Sequence, residues 1–147
     1  MRFMILLRAN QLTETGAPPS EALLAEMGQF NEALVKAGVM EGGGGLQPTA
    51  TGARVSFSGS ERSVARGPFP VSERTISGYW MFKTSSLAEA IEWVKRCPNP
   101  TGDTGEIEIR QVFEPEDFAE SDPTGELRRK ASELSAATRE GPLRGVE

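Results

Sequence analysis

The stretch Thr75-Ile76-Ser77-Gly78-Tyr79-Trp80-Met81-Phe82-Lys83 decides the fold. Ile76, Trp80 and Phe82 share one face of an extended chain and Ser77, Tyr79 and Met81 the other, because successive strand side chains point to opposite sides. Both faces carry bulk, and aromatic residues suit a pleated surface, so a central strand is expected here. A helix start follows: Ser86 and Glu89 have capping-box spacing, and Leu87, Ala90, Ile91, Val94 and Cys97 fall on one stripe. Lys95 and Arg96 suit the negative end of the helix dipole, and Pro98 stops the helix.

Toward the N-terminus, Val55 and Phe57 alternate with Arg54, Ser56 and Ser58, and Gly59-Ser60-Glu61 offers a turn. A hairpin is expected, with Arg62 to Arg66 as its return strand. Gly42 to Gly45 and Pro48 read as a loop before it. Leu23, Met27, Phe30 and Leu34 recur at helical spacing, with Leu24 and Val35 widening the stripe. Ser20 suits the cap of that helix, Glu21 its first turn, and Gly38 the left-handed residue at its end. The continuous apolar run inside Arg2 and Arg8 reads as a first strand, covered on both faces. Five residues, Phe3 to Leu7, are too few for a signal-peptide core of about 7–15 residues.

Toward the C-terminus, Ile107 and Ile109 alternate with Glu106, Glu108 and Arg110 in a last strand ending near Phe113. The order is strand, helix, hairpin strands, strand, helix, strand. Two strand-helix-strand halves pack both helices on one face of a mainly antiparallel sheet. The expected fold is therefore α+β, a ferredoxin-like sandwich with an inserted hairpin over residues 1–118. Its other face still carries apolar and aromatic groups, and a second copy is the natural cover. That makes a homodimer, packed face to face with a cavity between the sheets. Residues 119–147 read as a helical tail: Pro115, Ser121, Asp122, Pro123 and Gly125 make a linker, and Leu127, Ala131 and Leu134 a thin stripe over 126–138. So thin a stripe docks on a partner subunit or frays, and Gly141 to Glu147 are expected to be disordered.

Composition narrows the function. The 147 residues suit one domain, and a net charge of −5 disfavours nucleic acid and anionic membrane as partners. Histidine is absent, which removes the commonest general base and metal ligand. Cys97 is the only cysteine, so no internal disulfide forms, in keeping with a reducing cytoplasm. Asp occurs only at 103, 117 and 122, and no metal-ligand spacing or cofactor motif is present. Gly42 to Gly45 lack the following Lys and Ser or Thr of a phosphate loop. Glu106 and Glu108 share a strand face but read as solvated, and Cys97 at a helix end reads as core. Arg66 beside Gly67-Pro68-Phe69 is the exception, because a guanidinium at a strand end next to a rigid turn can grip a carboxylate or phosphate.

Gly45-Leu46-Gln47-Pro48, Gly52-Ala53-Arg54-Val55, Gly67-Pro68-Phe69, Gly78-Tyr79-Trp80 and the run Glu89 to Pro98 together resemble the DGPF-domain branch of the YCII-related proteins, over roughly residues 1 to 118. The resemblance implies dimeric ferredoxin-like domains related to the dimeric α+β barrel group. It also implies a cavity that YCII relatives line with a proposed His and Asp pair, and an association with sigma factors of the extracytoplasmic-function type. This chain departs from that pattern: Arg66 stands where the motif has its acid, Gly44 where an acidic residue precedes Gly-Leu, and Gln47 where His is frequent. The expectation is a small-molecule binder with no intact catalytic set, its ligand held near Arg66, Gln47, Phe69 and Tyr79 and anionic if Arg66 grips it. The alternatives are a cofactor-free isomerase, lyase or oxygenase using Tyr79 or Arg66, and a module that contacts a sigma factor through residues from Pro115 onward.

Overall fold

Alternation in the first apolar run becomes strand β1 (Arg2–Arg8), in which Phe3, Ile5 and Leu7 are buried and the residues between them half-exposed. The computed structural model describes residues 1–102 and 104–139; the expected disorder of Gly141 to Glu147 lies outside the described residues. A short helix α1 (Gln11–Glu14) precedes α2 (Glu21–Lys36). Ser20 caps α2 by accepting the Leu23 N–H at 3.1 Å, and Gly38 ends it with φ of +68°, a left-handed conformation only glycine adopts without cost. Phe30 and Leu34 are its buried residues, while Leu24 and Val35 stay exposed, so the inward stripe is narrower than expected.

The glycine run is not a loop. Met40–Gly45 forms strand β2 and pairs antiparallel with β5 (Ile76–Lys83), Gly43 opposite Trp80 and Gly44 opposite Tyr79. Glycine is a poor strand former because it has no side chain to pack. Here a side chain would be excluded: a Cβ on Gly43 would lie 2.7 Å from Trp80 Cδ1 and 2.7 Å from the Tyr79 carbonyl oxygen. The indole occupies the space that would make the strand recognisable.

Between them, β3 (Ala53–Ser58) and β4 (Glu61–Arg66) form the expected hairpin, a separate two-stranded sheet turned at Gly59. Helix α3 (Leu87–Val94) and strand β6 (Ile107–Gln111) complete the unit. Ser86 accepts the Glu89 N–H at 3.2 Å, but the Glu89 carboxylate reaches Ser85 rather than Ser86, accepting its N–H at 2.8 Å and its hydroxyl at 2.6 Å. Those two bonds hold the Glu89 carboxyl below its ordinary pKa. The fully buried Ala90 seats α3, with Trp93 and Val94 packed beside the core, so Leu87 and Ile91 are exposed despite their place on the expected stripe.

The main sheet has the order β2-β5-β1-β6 with antiparallel neighbours throughout. Phe3, Ile5, Leu7, Trp80 and Phe82 meet Phe30, Leu34 and Ala90, so both helices cover one face, as in a ferredoxin-like sandwich. Full burial of side chains such as Ile5 and Phe82 contributes about 1.5–3 kcal/mol each. On the opposite face Met4 pairs with Met81 and Leu6 with Tyr79, and all four are half-exposed.

The chain divides at Val112/Phe113, six residues before the expected boundary. In the second unit, Pro115–Ser121 is not an open linker but 3-10 turns kinked at Phe118, begun by Pro115 and by the Asp117 carboxylate accepting the Glu114 N–H at 2.8 Å. Helix α4 (Glu126–Arg139) follows. Buried Asp122 accepts the Arg128 N–H at 2.9 Å, and that bond, supported by the Arg128 guanidinium, holds its carboxyl below its ordinary pKa. No helix among the described residues is long and apolar enough to cross a membrane.

Trp80 generates a direct comparison. Gly43→Ala is expected to cost about 1–3 kcal/mol of stability in urea unfolding. Gly45→Ala, whose Cβ would meet open space, should change stability by less than about 1 kcal/mol. Equal effects at the two positions would show that the indole does not dictate the strand.

Candidate functional site

At the end of the sheet where β1 and β2 finish and β5 begins, short connections build the walls of two clefts. Asn10 caps α1 reciprocally with Thr13, each accepting the other's N–H at 2.9 Å. The Asn10 amide also donates to Thr101 O at 3.1 Å, tying the turn after Asn99 to α1. Leu46 N–H donates to Ser77 O at 2.8 Å, so the chain leaving β2 stays pinned to β5 and presents Gln47 and Pro48 beyond it.

The larger cleft encloses about 740 Å³. Leu7, Leu12, Leu23, Leu24, Met27 and Leu46 supply its apolar wall, Gln47, Ser20 and Asn99 supply polar groups, and no charged side chain among the described residues lines it. That size and balance are those of small-molecule sites, which run to about 300–1,000 Å³.

The second cleft, about 370 Å³, shares Leu46, Gln47 and Pro48 with the first and adds Thr49, Arg54, Phe69 and Arg74. The Arg54 guanidinium lies 4.0 Å from the centre of the Phe69 ring, a cation–π contact that fixes a charge at the wall. Thr49 organises this region. The Glu14 carboxylate accepts its N–H at 3.0 Å and its hydroxyl at 2.7 Å, and the same hydroxyl oxygen accepts the Phe69 N–H at 2.9 Å. Gly67 is required for that seat, since a Cβ there would meet the Thr49 carbonyl oxygen at 1.7 Å. Its peptide bond to Pro68 is cis.

Of the four residues expected at the site, Gln47 and Phe69 come together, in the second cleft. Tyr79 lines a third, smaller cleft of about 250 Å³ beside Gly43 to Gly45 and Asn31. Arg66 is exposed at the end of β4 opposite Ala53 and lines none of the three. Arg54, Arg74, Glu14 and Thr49 escaped the sequence reading. Arg54 was visible as the polar partner in an alternating strand and as part of a segment that carries the family resemblance, with nothing to mark it as a site residue, and a side-chain bond spanning Glu14 and Thr49 leaves no periodic trace.

The carboxylates of β6 are structural: Glu108 bonds Arg8 and pairs with Arg110 at 3.2 Å, and Glu106 lies 3.6 Å from Arg8. Burial pushes the Cys97 thiol up to about 11. Among the described residues no three Cys, Asp or Glu side chains gather as metal ligands would.

Strand order, one-sided helices and clefts at the strand ends define an α+β domain of the ferredoxin-like class with a ligand-sized site. The chain belongs to the YCII-related domain family, whose family model matches residues 1–125. It is also similar to an uncharacterized protein of Rhizobium meliloti (strain 1021), 27% identical over 92 residues that cover 63% of this chain and 74% of the relative.

Two measurements probe these contacts. Thr49→Val, which keeps the shape and removes the hydroxyl, is expected to lower stability by about 1–3 kcal/mol, read as a fall in urea midpoint. An unchanged midpoint would mean that Thr49 does not hold the Phe69 segment in place. Cys97 should react with iodoacetamide at pH 8 on the order of a hundredfold more slowly than a free thiol, speeding up only as pH nears 11. Rapid alkylation at pH 8 would contradict its burial.

Proposed function

We propose that this chain binds a small organic molecule in the 740 Å³ cleft at the end of its sheet, as a homodimer in the cytoplasm and without a catalytic set of its own. The cleft carries the reading: an apolar wall backed by β1 and α2 with Gln47 among a few neutral polar groups, a composition that shapes binding rather than proton transfer. Among the described residues that line it, none carries a side chain that titrates near neutral pH. The cleft is walled within one chain, so the ligand sits inside each copy rather than between sheets.

Support for a second copy comes from two surfaces. Met4, Leu6, Tyr79 and Met81 line the sheet face away from the helices. The β3–β4 hairpin exposes Val55, Phe57 and Val64, and a two-stranded hairpin is marginal without cover. A single cysteine and no internal disulfide fit the cytoplasm.

Native mass spectrometry of the full chain, purified gently from its host, is expected to give a dimer carrying extra small-molecule mass. Leu24→Asp, a change at an exposed position of the cleft wall, should release that mass. A dimer with no retained mass, or one that keeps it in Leu24→Asp, would count against this cleft. A monomer would remove the homodimer.

A further inference from the structure

We infer that the molecule this site takes is an amphipathic oxyanion, its apolar body in the larger cleft and its carboxylate or phosphate head between Arg54 and Arg74 in the smaller one. The inference rests on the reading of the larger cleft as a ligand site and adds what that cleft lacks, a charge. The two clefts share Leu46, Gln47 and Pro48 and so adjoin along that segment, which places a head in one next to a body in the other.

The charge balance of the smaller cleft singles out its ligand. Arg54 and Arg74 line it, and no carboxylate among the described residues does. Four arginines elsewhere are neutralised, Arg8 and Arg110 by Glu108, Arg128 by Asp122 and Arg129 by Glu133, while Arg62, Arg66 and Arg96, which pair with no carboxylate among the described residues either, line neither cleft. Arg54 and Arg74 have no such partner among the described residues, in a chain whose acids outnumber its bases 21 to 16. The nearby Glu14 carboxylate is engaged by Thr49 through both N–H and hydroxyl. Arg54 is steadied by the Phe69 ring, which meets the cation through its π-face and takes up none of the N–H donors that bind an oxyanion. Two arginines lining one cleft favour a head with two or three oxygens, which each guanidinium can hold by paired charge-assisted hydrogen bonds. The Gln47 amide, common to both clefts, stands where head and body join.

The test compares ligands with the same ten-carbon tail: decanoate, decyl phosphate and 1-decanol, titrated into the full chain by calorimetry. At least one of the two anions is expected to bind roughly tenfold or more tightly than decanol. Arg54→Gln and Arg74→Gln should each remove most of that advantage and leave decanol unaffected. Arg66→Gln, an exposed change outside both clefts, should alter nothing. Which anion binds better distinguishes a carboxylate head from a phosphate head. Equal binding of all three, or anion binding indifferent to Arg54 and Arg74, would overturn the inference and leave the cleft standing as an apolar site. No binding of any of the three would overturn the cleft reading itself.

Discussion

Burial of the Trp80 indole is the constraint from which most of this architecture follows. The ring meets Phe30 edge-on at 5.6 Å between centroids and Phe82 at 6.3 Å, and its N–H donates to Asn31 Oδ1 at 2.9 Å. It thereby joins α2 to the sheet through apolar contact and satisfies its one polar atom in the same place, the combination a buried Trp needs. Beside it there is no room for a side chain at Gly43, so the strand next to β5 must be glycine where it passes the ring. An edge strand made of Met-Glu-Gly-Gly-Gly-Gly carries almost no side-chain surface. Its stability comes from pairing to β5 and from the indole, not from its own propensity.

That origin explains which parts of the fold were legible. Where side chains do the packing, their spacing reports it: β1, α2, β5 and β6 appear where alternation or helical recurrence places them, with Ser20, Gly38 and Ser86 in their expected terminal roles. β2 was not legible, because a strand whose contacts come from its neighbour's side chain has no pattern of its own. The hairpin was legible as a hairpin, yet the order of elements along the sequence assigns it the place in the main sheet that β2 occupies. Leu87 and Ile91 show the converse limit. A stripe on an eight-residue helix is wide enough to be seated in more than one rotation, and the smallest residue, Ala90, sets the closest approach.

The site was legible only in part, for a related reason. Gln47 and Phe69 lie in segments that resemble a family, and the fold brings them to one cleft. Arg66 drew attention through its neighbours in sequence, but residue 66 ends a strand paired to Ala53, whereas Gly67 turns the chain onto Thr49. The two residues are adjacent along the chain and are directed by different partners. Arg54 enters the same cleft from the other strand of the hairpin, and Arg74 from the connection before β5. Nothing in the local spacing of either marks that convergence.

The division of labour between regular elements and connections bears on how such a site can change. Leu7 and Met27 stand on β1 and α2 and contribute to the core or to the face packed against it. They set the depth of the larger cleft and cannot vary without disturbing the packing that holds α2 to the sheet. Gln47, Arg54, Phe69 and Arg74 lie on connections or on the hairpin, and none belongs to the core cluster. A change of polar group at residue 47, or of charge at 54 and 74, therefore alters what the clefts accept while leaving the Trp80 packing untouched. The Gln47 amide both donates and accepts without titrating, so on the reading proposed above it would orient a ligand rather than exchange protons with it.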